Sequence, residues 1–169
     1  MPFEYAKSFI DLLLTPDQNT KKYLNSLEST AVILNFIGGE PFLQINLIDK
    51  IITYFISQCI KLNHPWQYHH IISITSNGTL YKNNEVQNFI KKWKHILSLS
   101  ISIDGNKLLH DSCRIFPDGS GSYDLAISAV HDIDQKYSDY FTMGSKMTLS
   151  PQNIYYTKDA IINLINEGY

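Results

Sequence analysis

The stretch IISITSNGTLYKNNEVQNFIKKWKHILSLSISIDG, residues 71–105, decides the fold. It opens on Ile71–Ser76, a short apolar run stopped by Asn77-Gly78, and closes on Ile96–Ile103, stopped by Asp104-Gly105. Between them Asn84 is placed to cap a helix carrying Val86, Phe89, Ile90 and Trp93 at helical spacing. Strand, helix and strand in that order form a crossover unit, in which two parallel strands are joined over one face of a sheet.

The same alternation extends outward in both directions. Upstream, Ala31–Ile37 reads as a buried strand ending at Gly38-Gly39, and Leu47–Ile60 as an amphipathic helix on the stripe Ile48, Ile51, Ile52, Phe55 and Ile56. Before them, Phe3–Leu14 has helical spacing and is broken by Thr15-Pro16-Asp17. Downstream, Ser122 is expected to cap a helix with Leu125, Ala126, Ala129, Val130 and Ile133 on one face. Ser145–Leu149 reads as a weaker strand, and Ala160, Ile161, Leu164 and Ile165 mark a last helix ending at Gly168. The expected fold class is therefore α/β, with about four parallel strands, each with its helices. Because the chain opens on a helix and closes where another strand is due, the expectation is a partial barrel or sheet incomplete at both ends.

Two strand faces carry chemical information. Leu97, Leu99, Ile101 and Ile103 alternate with Ser98, Ser100, Ser102 and Asp104, and Ser73, Thr75 and Asn77 line one face of the neighbouring strand. A filled eight-stranded barrel packs its lumen mainly with branched apolar side chains, so small hydroxyls suggest a roomy interior that holds something polar, or small residues fitted under larger neighbours. The plainer alternative is a solvent-facing sheet edge. The turns Gly38-Gly39-Glu40-Pro41, Asn77-Gly78-Thr79 and Asp104-Gly105 all follow strand C-termini, the edge where parallel α/β folds place ligands.

Bulk properties exclude several classes. The 169 residues suffice for one domain with a sizeable core, and 44% hydrophobic with 18% charged residues is a globular composition. A net charge of −2 offers no basic field for nucleic acid or an anionic membrane surface, and Lys91, Lys92 and Lys94 read as a solvated helix end. No apolar run reaches the roughly 18 residues of a membrane span, and the first residues lack a secretory layout, so a cytoplasmic setting is the expectation. Cys59 lies on a helical stripe and reads as a buried structural thiol, whereas Cys113 sits in a loop beside Arg114 and is only a weak candidate for a reactive thiol. Two cysteines so far apart make no zinc knuckle, redox pair or iron–sulfur cradle, so no metal ligands are assigned.

Taken in register, four motifs resemble the radical S-adenosylmethionine (radical SAM) enzymes. They are Asn35–Leu43 (NFIGGEPFL), Ile74–Leu80 (ITSNGTL), Leu99–Gly105 (LSISIDG), and His110–Arg114 (HDSCR) followed by Asp118–Asp124 (DGSGSYD). The best likeness is to the branch with a C-terminal SPASM or twitch domain, which includes anaerobic sulfatase-maturing enzymes and peptide-modifying maturases. Met1-Pro-Phe-Glu-Tyr-Ala also resembles the start of the helix after that family's cluster loop.

The resemblance implies a TIM-type (β/α) barrel core and a set of binding roles. Gly38, Gly39, Glu40 and Pro41 would hold the methionine amino group of S-adenosylmethionine. Ser102 would meet the cofactor near its ribose, Arg114 the methionine carboxylate, and Thr148 and Leu149 the adenine region, while Asn77 would shape the rim. A carboxylate and a guanidinium on opposite sides suit a zwitterionic amino acid. For Arg114 the plainer alternative is a surface ion pair with Asp111. For Ser122 and the Gly119–Gly121 loop a helix cap with a flexible lead-in is preferred to a phosphate cradle.

The departure is equally informative. The family's C-x-x-x-C-x-x-C loop, which holds its 4Fe-4S cluster, is not in residues 1–169. Residues 1–169 are thus expected to be an incomplete radical SAM core domain that keeps a cofactor-binding rim and no catalytic residues. A full-length parent would generate a 5′-deoxyadenosyl radical and abstract hydrogen from a peptide or protein side chain. The alternatives are a non-catalytic module that binds S-adenosylmethionine or a peptide, and one half of a split enzyme completed by another chain.

Overall fold

A computed structural model describes residues 2–22, 29–151 and 153–169. Its frame is a parallel sheet of four strands in chain order: β1 (Val32–Phe36), β2 (His70–Ser76), β3 (Leu97–Ile101) and β4 (Gly144–Ser145). The helices are α1 (Phe3–Leu14), α2 (Gln18–Lys21), α3 (Ile45–Lys61), α4 (Asn84–Trp93), α5 (Lys107–Asp111), α6 (Tyr123–Tyr137) and α7 (Thr157–Asn166). Strands alternate with helices throughout, as expected, and the architecture is a partial TIM-type (β/α) barrel.

Alternation along the strands sorts the two faces. Ile72 and Ile74 of β2 and Leu97, Leu99 and Ile101 of β3 are buried, packed with Ile48 and Ile52 of α3, Val86, Phe89 and Ile90 of α4, and Ala126, Ala129, Val130 and Ile133 of α6. Each such aliphatic side chain removed from water contributes about 1.5–3 kcal/mol, which is what fixes the strand register. A second cluster joins α1 to α3, through Ala6, Ile10 and Leu14 against Ile51, Phe55 and Cys59. Tyr54 adds a hydroxyl bond of 2.6 Å to Asp11 across that interface. The other sheet face is more open: Ser73 pairs with Ser98 and Thr75 with Ser100, all half-buried, and Ile33 and Ile71 are exposed beside one another.

Several local expectations need correction. Asn84 is the first residue of α4 and not its cap; Asn83 occupies that position, with no side-chain cap bond. Ser122 occupies the N-cap position of α6 as expected, but its side chain makes no cap bond: the hydroxyl is drawn to Arg114 O, and Asp111 accepts the Tyr123 N–H (2.9 Å). The strand expected over 145–149 shrinks to Gly144–Ser145, since the Thr148 N–H turns to Asp104 instead of continuing the ladder. Leu125, Ile161 and Ile165, expected on buried faces, are exposed. The lysine cluster lies at the end of α4 as expected; Lys92 pairs with Asp49 at 2.7 Å, and Lys94 lies over the Tyr140 ring. Among the described residues, no helix is long and apolar enough to cross a membrane.

Candidate functional site

The buried polar side chains among the described residues are Ser76, Ser102, Asp104, His110 and Ser122. Unpaired buried polar groups are costly, so their concentration marks where the sequence gives up apolar packing for something else. Ser76, Ser102 and Asp104 stand at or just past the C-terminal ends of β2 and β3, and His110 and Ser122 are bonded into the same neighbourhood.

The first half of the site is built on the turn after β1. Gly38 and Gly39 both have positive φ (90° and 51°), a conformation other L-residues adopt only at a steric cost, and a Cβ on either would meet nothing within 4 Å. The glycines therefore serve backbone shape and leave an open surface. That shape swings Glu40 across to β2. Its Oε1 accepts from the Phe42 N–H (3.0 Å) and the Ser76 hydroxyl (2.7 Å), and its Oε2 from the Asn77 N–H (2.8 Å). Pro41 is buried at the start of the short 3-10 turn that Glu40 caps. A carboxylate has about four acceptor sites, so one remains for a ligand donor such as an ammonium group. Asn77 accepts from the Thr79 N–H and hydroxyl (2.9 and 2.8 Å), a turn-forming pattern that shapes the rim.

The second half is built on the turn after β3. Asp104, only 2% exposed, bonds the Arg114 guanidinium through both carboxylate oxygens, to Nε and, at 3.3 Å, to Nη2. Its Oδ1 also accepts the Thr148 N–H at 2.7 Å. Burial by itself would raise the Asp104 carboxyl, but the bonds from Arg114 and Thr148 and the guanidinium charge outweigh it and hold it below the usual carboxylate range. Arg114 is thus paired with Asp104 and not with Asp111, the partner considered from sequence; Asp111 instead holds the start of α6 and lies 3.8 Å from Lys107. Nη2 of Arg114 also reaches Thr148 Oγ1 at 3.4 Å, and Leu149 follows, half exposed.

Ser102 joins the two halves: its N–H donates to Ser76 O at 2.8 Å, two residues before Asp104. Its hydroxyl, in a residue 8% exposed, makes no hydrogen bond among the described residues. Glu40 and Arg114 make no ion pair with each other, so each keeps capacity for a third party.

Sequence reasoning passed over Asp104, His110, Ser76 and Ser122 as site residues. Alternation from Ile72 and Ile74 does put Ser76 on the buried face, and that signal was readable. His110 and Ser122 offer no such signal, since only the turn after α5 brings them together (Nε2 to Oγ, 3.0 Å). Cys113 lies 3.6 Å from Asp104 Oδ2; burial first and that carboxylate second push its thiol up, opposite to the requirement for a reactive thiolate. Cys59 is wholly buried in the second core cluster, its thiol pushed up to about 11 by desolvation. The two thiols therefore do not fit an iron–sulfur cluster, and no group of three or more metal-ligating side chains occurs among the described residues.

No family model matches the chain. It is 30% identical over 168 residues to an uncharacterized protein of Methanocaldococcus jannaschii, a match spanning 99% of this chain and 50% of that protein. Its fold superposes on the anaerobic sulfatase-maturing enzyme anSMEcpe solved with bound AdoMet and Kp18Cys peptide, at a TM-score of 0.71 and 18% identity. That likeness covers 99% of this chain and 40% of the other. The same enzyme with bound AdoMet alone gives a TM-score of 0.70 over the same shares. At this identity the likeness establishes the fold. The chain spans about half the length of the curated relative it matches.

Proposed function

We propose that this chain is the S-adenosylmethionine-binding part of a radical SAM enzyme of the peptide-maturase kind. The observation that carries the reading is the buried polar rim: a Glu40 carboxylate with one acceptor site left and an Arg114 guanidinium with an unused edge, on strand ends joined through Ser102. One end of the rim suits an ammonium and the other a carboxylate, the two charged groups of a methionine moiety. The unpaired Ser102 hydroxyl would meet the ribose, and exposed Leu149 with Thr148 would lie against the adenine. Gly38, Gly39 and Pro41 set the turn that aims Glu40, and Asn77 sets the rim beside it. The solved maturase of the same fold binds AdoMet and a peptide, which supports both the cofactor and a peptide or protein substrate.

Cys59 and Cys113 cannot hold a 4Fe-4S cluster, so in this reading the cluster belongs to another part of a longer protein or to a completing chain. Residues 1–169 would then be an incomplete core domain. Hydrogen abstraction by a 5′-deoxyadenosyl radical is the activity proposed for that longer protein, and no step of it falls to residues described above. A setting in the cytoplasm, away from membranes and nucleic acid, accompanies this proposal.

The test is titration calorimetry of the chain with S-adenosylmethionine and with methylthioadenosine, which keeps the nucleoside and lacks the amino-acid end. Binding of the first, and weaker binding of the second by roughly tenfold or more, is the expected result for two charge-assisted contacts. Equal binding of both removes Glu40 and Arg114 from the site. No binding of either sinks the cofactor reading for this chain.

A further inference from the structure

Arg114 is gripped from two directions. Asp104 takes the Nε and Nη2 edge of the guanidinium, while the Ser122 hydroxyl donates to the Arg114 carbonyl at 2.8 Å. Ser122 is in turn bonded to His110 Nε2, and the Asp104 N–H points at His110 Nδ1 (3.4 Å). These partners select one tautomer. With the hydroxyl proton spent on Arg114 O, Nε2 must carry the imidazole proton, and Nδ1 is left to accept from Asp104. A neutral, wholly buried His110 thus ties the backbone of Asp104 to the backbone of Arg114, and the ion pair closes the ring.

A guanidinium offers its N–H groups along fixed edges. Asp104 occupies the side edge, through Nε and one N–H of Nη2; Nη1 makes no bond among the described residues, and beyond Asp104 Nη2 has only the long contact to Thr148 Oγ1. The end edge, Nη1 with Nη2, is therefore the part of Arg114 left for a bidentate partner. The Asp104–Arg114 pair carries no net charge, so it presents hydrogen-bond geometry more than attraction for a bare anion. That suits the carboxylate of a zwitterion whose ammonium meets a second site.

We propose that Asp104 is a positioning residue, which clamps Arg114 by its side edge so that the end edge, beside Thr148, receives the α-carboxylate of an amino-acid ligand. The proposal rests on the S-adenosylmethionine reading for the identity of that ligand and on the geometry alone for the clamp, so the two are tested separately.

The clamp is read without ligand, from the Nε–H signal of Arg114 in the nitrogen-15 spectrum of the full chain, identified by its loss in Arg114→Lys. Arg114 is the one arginine of the sequence, and its signal is expected to be resolved and slow to exchange with water in the wild type, and to exchange as in free arginine in Asp104→Asn. A wild-type signal that exchanges as a free arginine overturns the clamp, even if Asp104→Asn fails to fold. The ligand role is read from the preference for S-adenosylmethionine over its decarboxylated form. The wild type should prefer the carboxylate by roughly tenfold or more, and both Asp104→Asn and Arg114→Lys should lose most of that preference. A folded Asp104→Asn that keeps the full preference overturns the positioning role. No wild-type preference, with the Nε–H still protected, overturns the carboxylate assignment and leaves the clamp standing.

Discussion

Glu40 links the turn after β1 to the end of β2, and its removal has a calculable consequence. In Glu40→Ala the Phe42 N–H, the Ser76 hydroxyl and the Asn77 N–H all lose their acceptor. A hydrogen bond to a charged group contributes about 1.5–3 kcal/mol when its donor cannot turn to water. Ser76 is 1% exposed and has no such recourse, whereas Asn77 is half-buried and water recovers part of its loss. The expected destabilisation is therefore about 2–4 kcal/mol, well short of three full bonds. Glu40→Gln is the more discriminating variant. Either orientation of its amide sets an NH2 group against a backbone N–H, of Asn77 in one and of Phe42 in the other, so about half the loss should appear without any change of volume. Urea unfolding followed by circular dichroism reads both. With a slope of about 1–3 kcal/mol per molar, Glu40→Ala should lower the midpoint by roughly 1–2 M. A Glu40→Gln midpoint equal to wild type would refute the arrangement, since an isosteric amide can match the carboxylate only if those donors do not converge on it.

Two further outcomes follow from the packing. Burial, and then the charge of Arg114, hold His110 below its ordinary value of 6.5, so the unfolded chain takes up the proton first as pH falls; stability should be full above about pH 6.5 and decline below it, at up to about 1.4 kcal/mol per pH unit from this one group. His64, also lowered by burial, adds to that slope, so His110→Asn should reduce the decline between pH 7 and 5 without abolishing it, and an unchanged slope in denaturant titrations would contradict the neutral tautomer. Gly105 has φ +107° and a Cβ there would lie 2.6 Å from the Ala160 Cβ of α7, whereas Gly119 has φ +86° and open space around it. Gly105→Ala should thus lower stability by about 2–4 kcal/mol and Gly119→Ala by only about 1 kcal/mol, and equal midpoints for the two would show that α7 does not pack there.

Much of this was legible in the order of residues, because it depends on local periodicity. Ile72, Ile74, Leu97, Leu99 and Ile101 alternate, and a period of two admits only a strand with one buried face. Ile48, Ile52 and Phe55 recur at helical spacing and are buried as that spacing requires. The turn glycines and the C-terminal strand edge also pointed to where the buried polar side chains Ser76, Ser102 and Asp104 gather. What local pattern could not decide was which partner each polar side chain takes across the sheet. Asp104 and Asp111 are both short carboxylates within ten residues of Arg114, and sequence distance favoured the nearer one. The turn after β3 aims Asp104 at the guanidinium and leaves Asp111 to cap α6. Likewise Thr148 gives its N–H to Asp104, 44 residues away, which ends β4 early. Backbone periodicity belongs to the sequence by itself. The bonding of buried polar groups belongs to the tertiary structure, because only the packed chain determines which donors water can no longer reach.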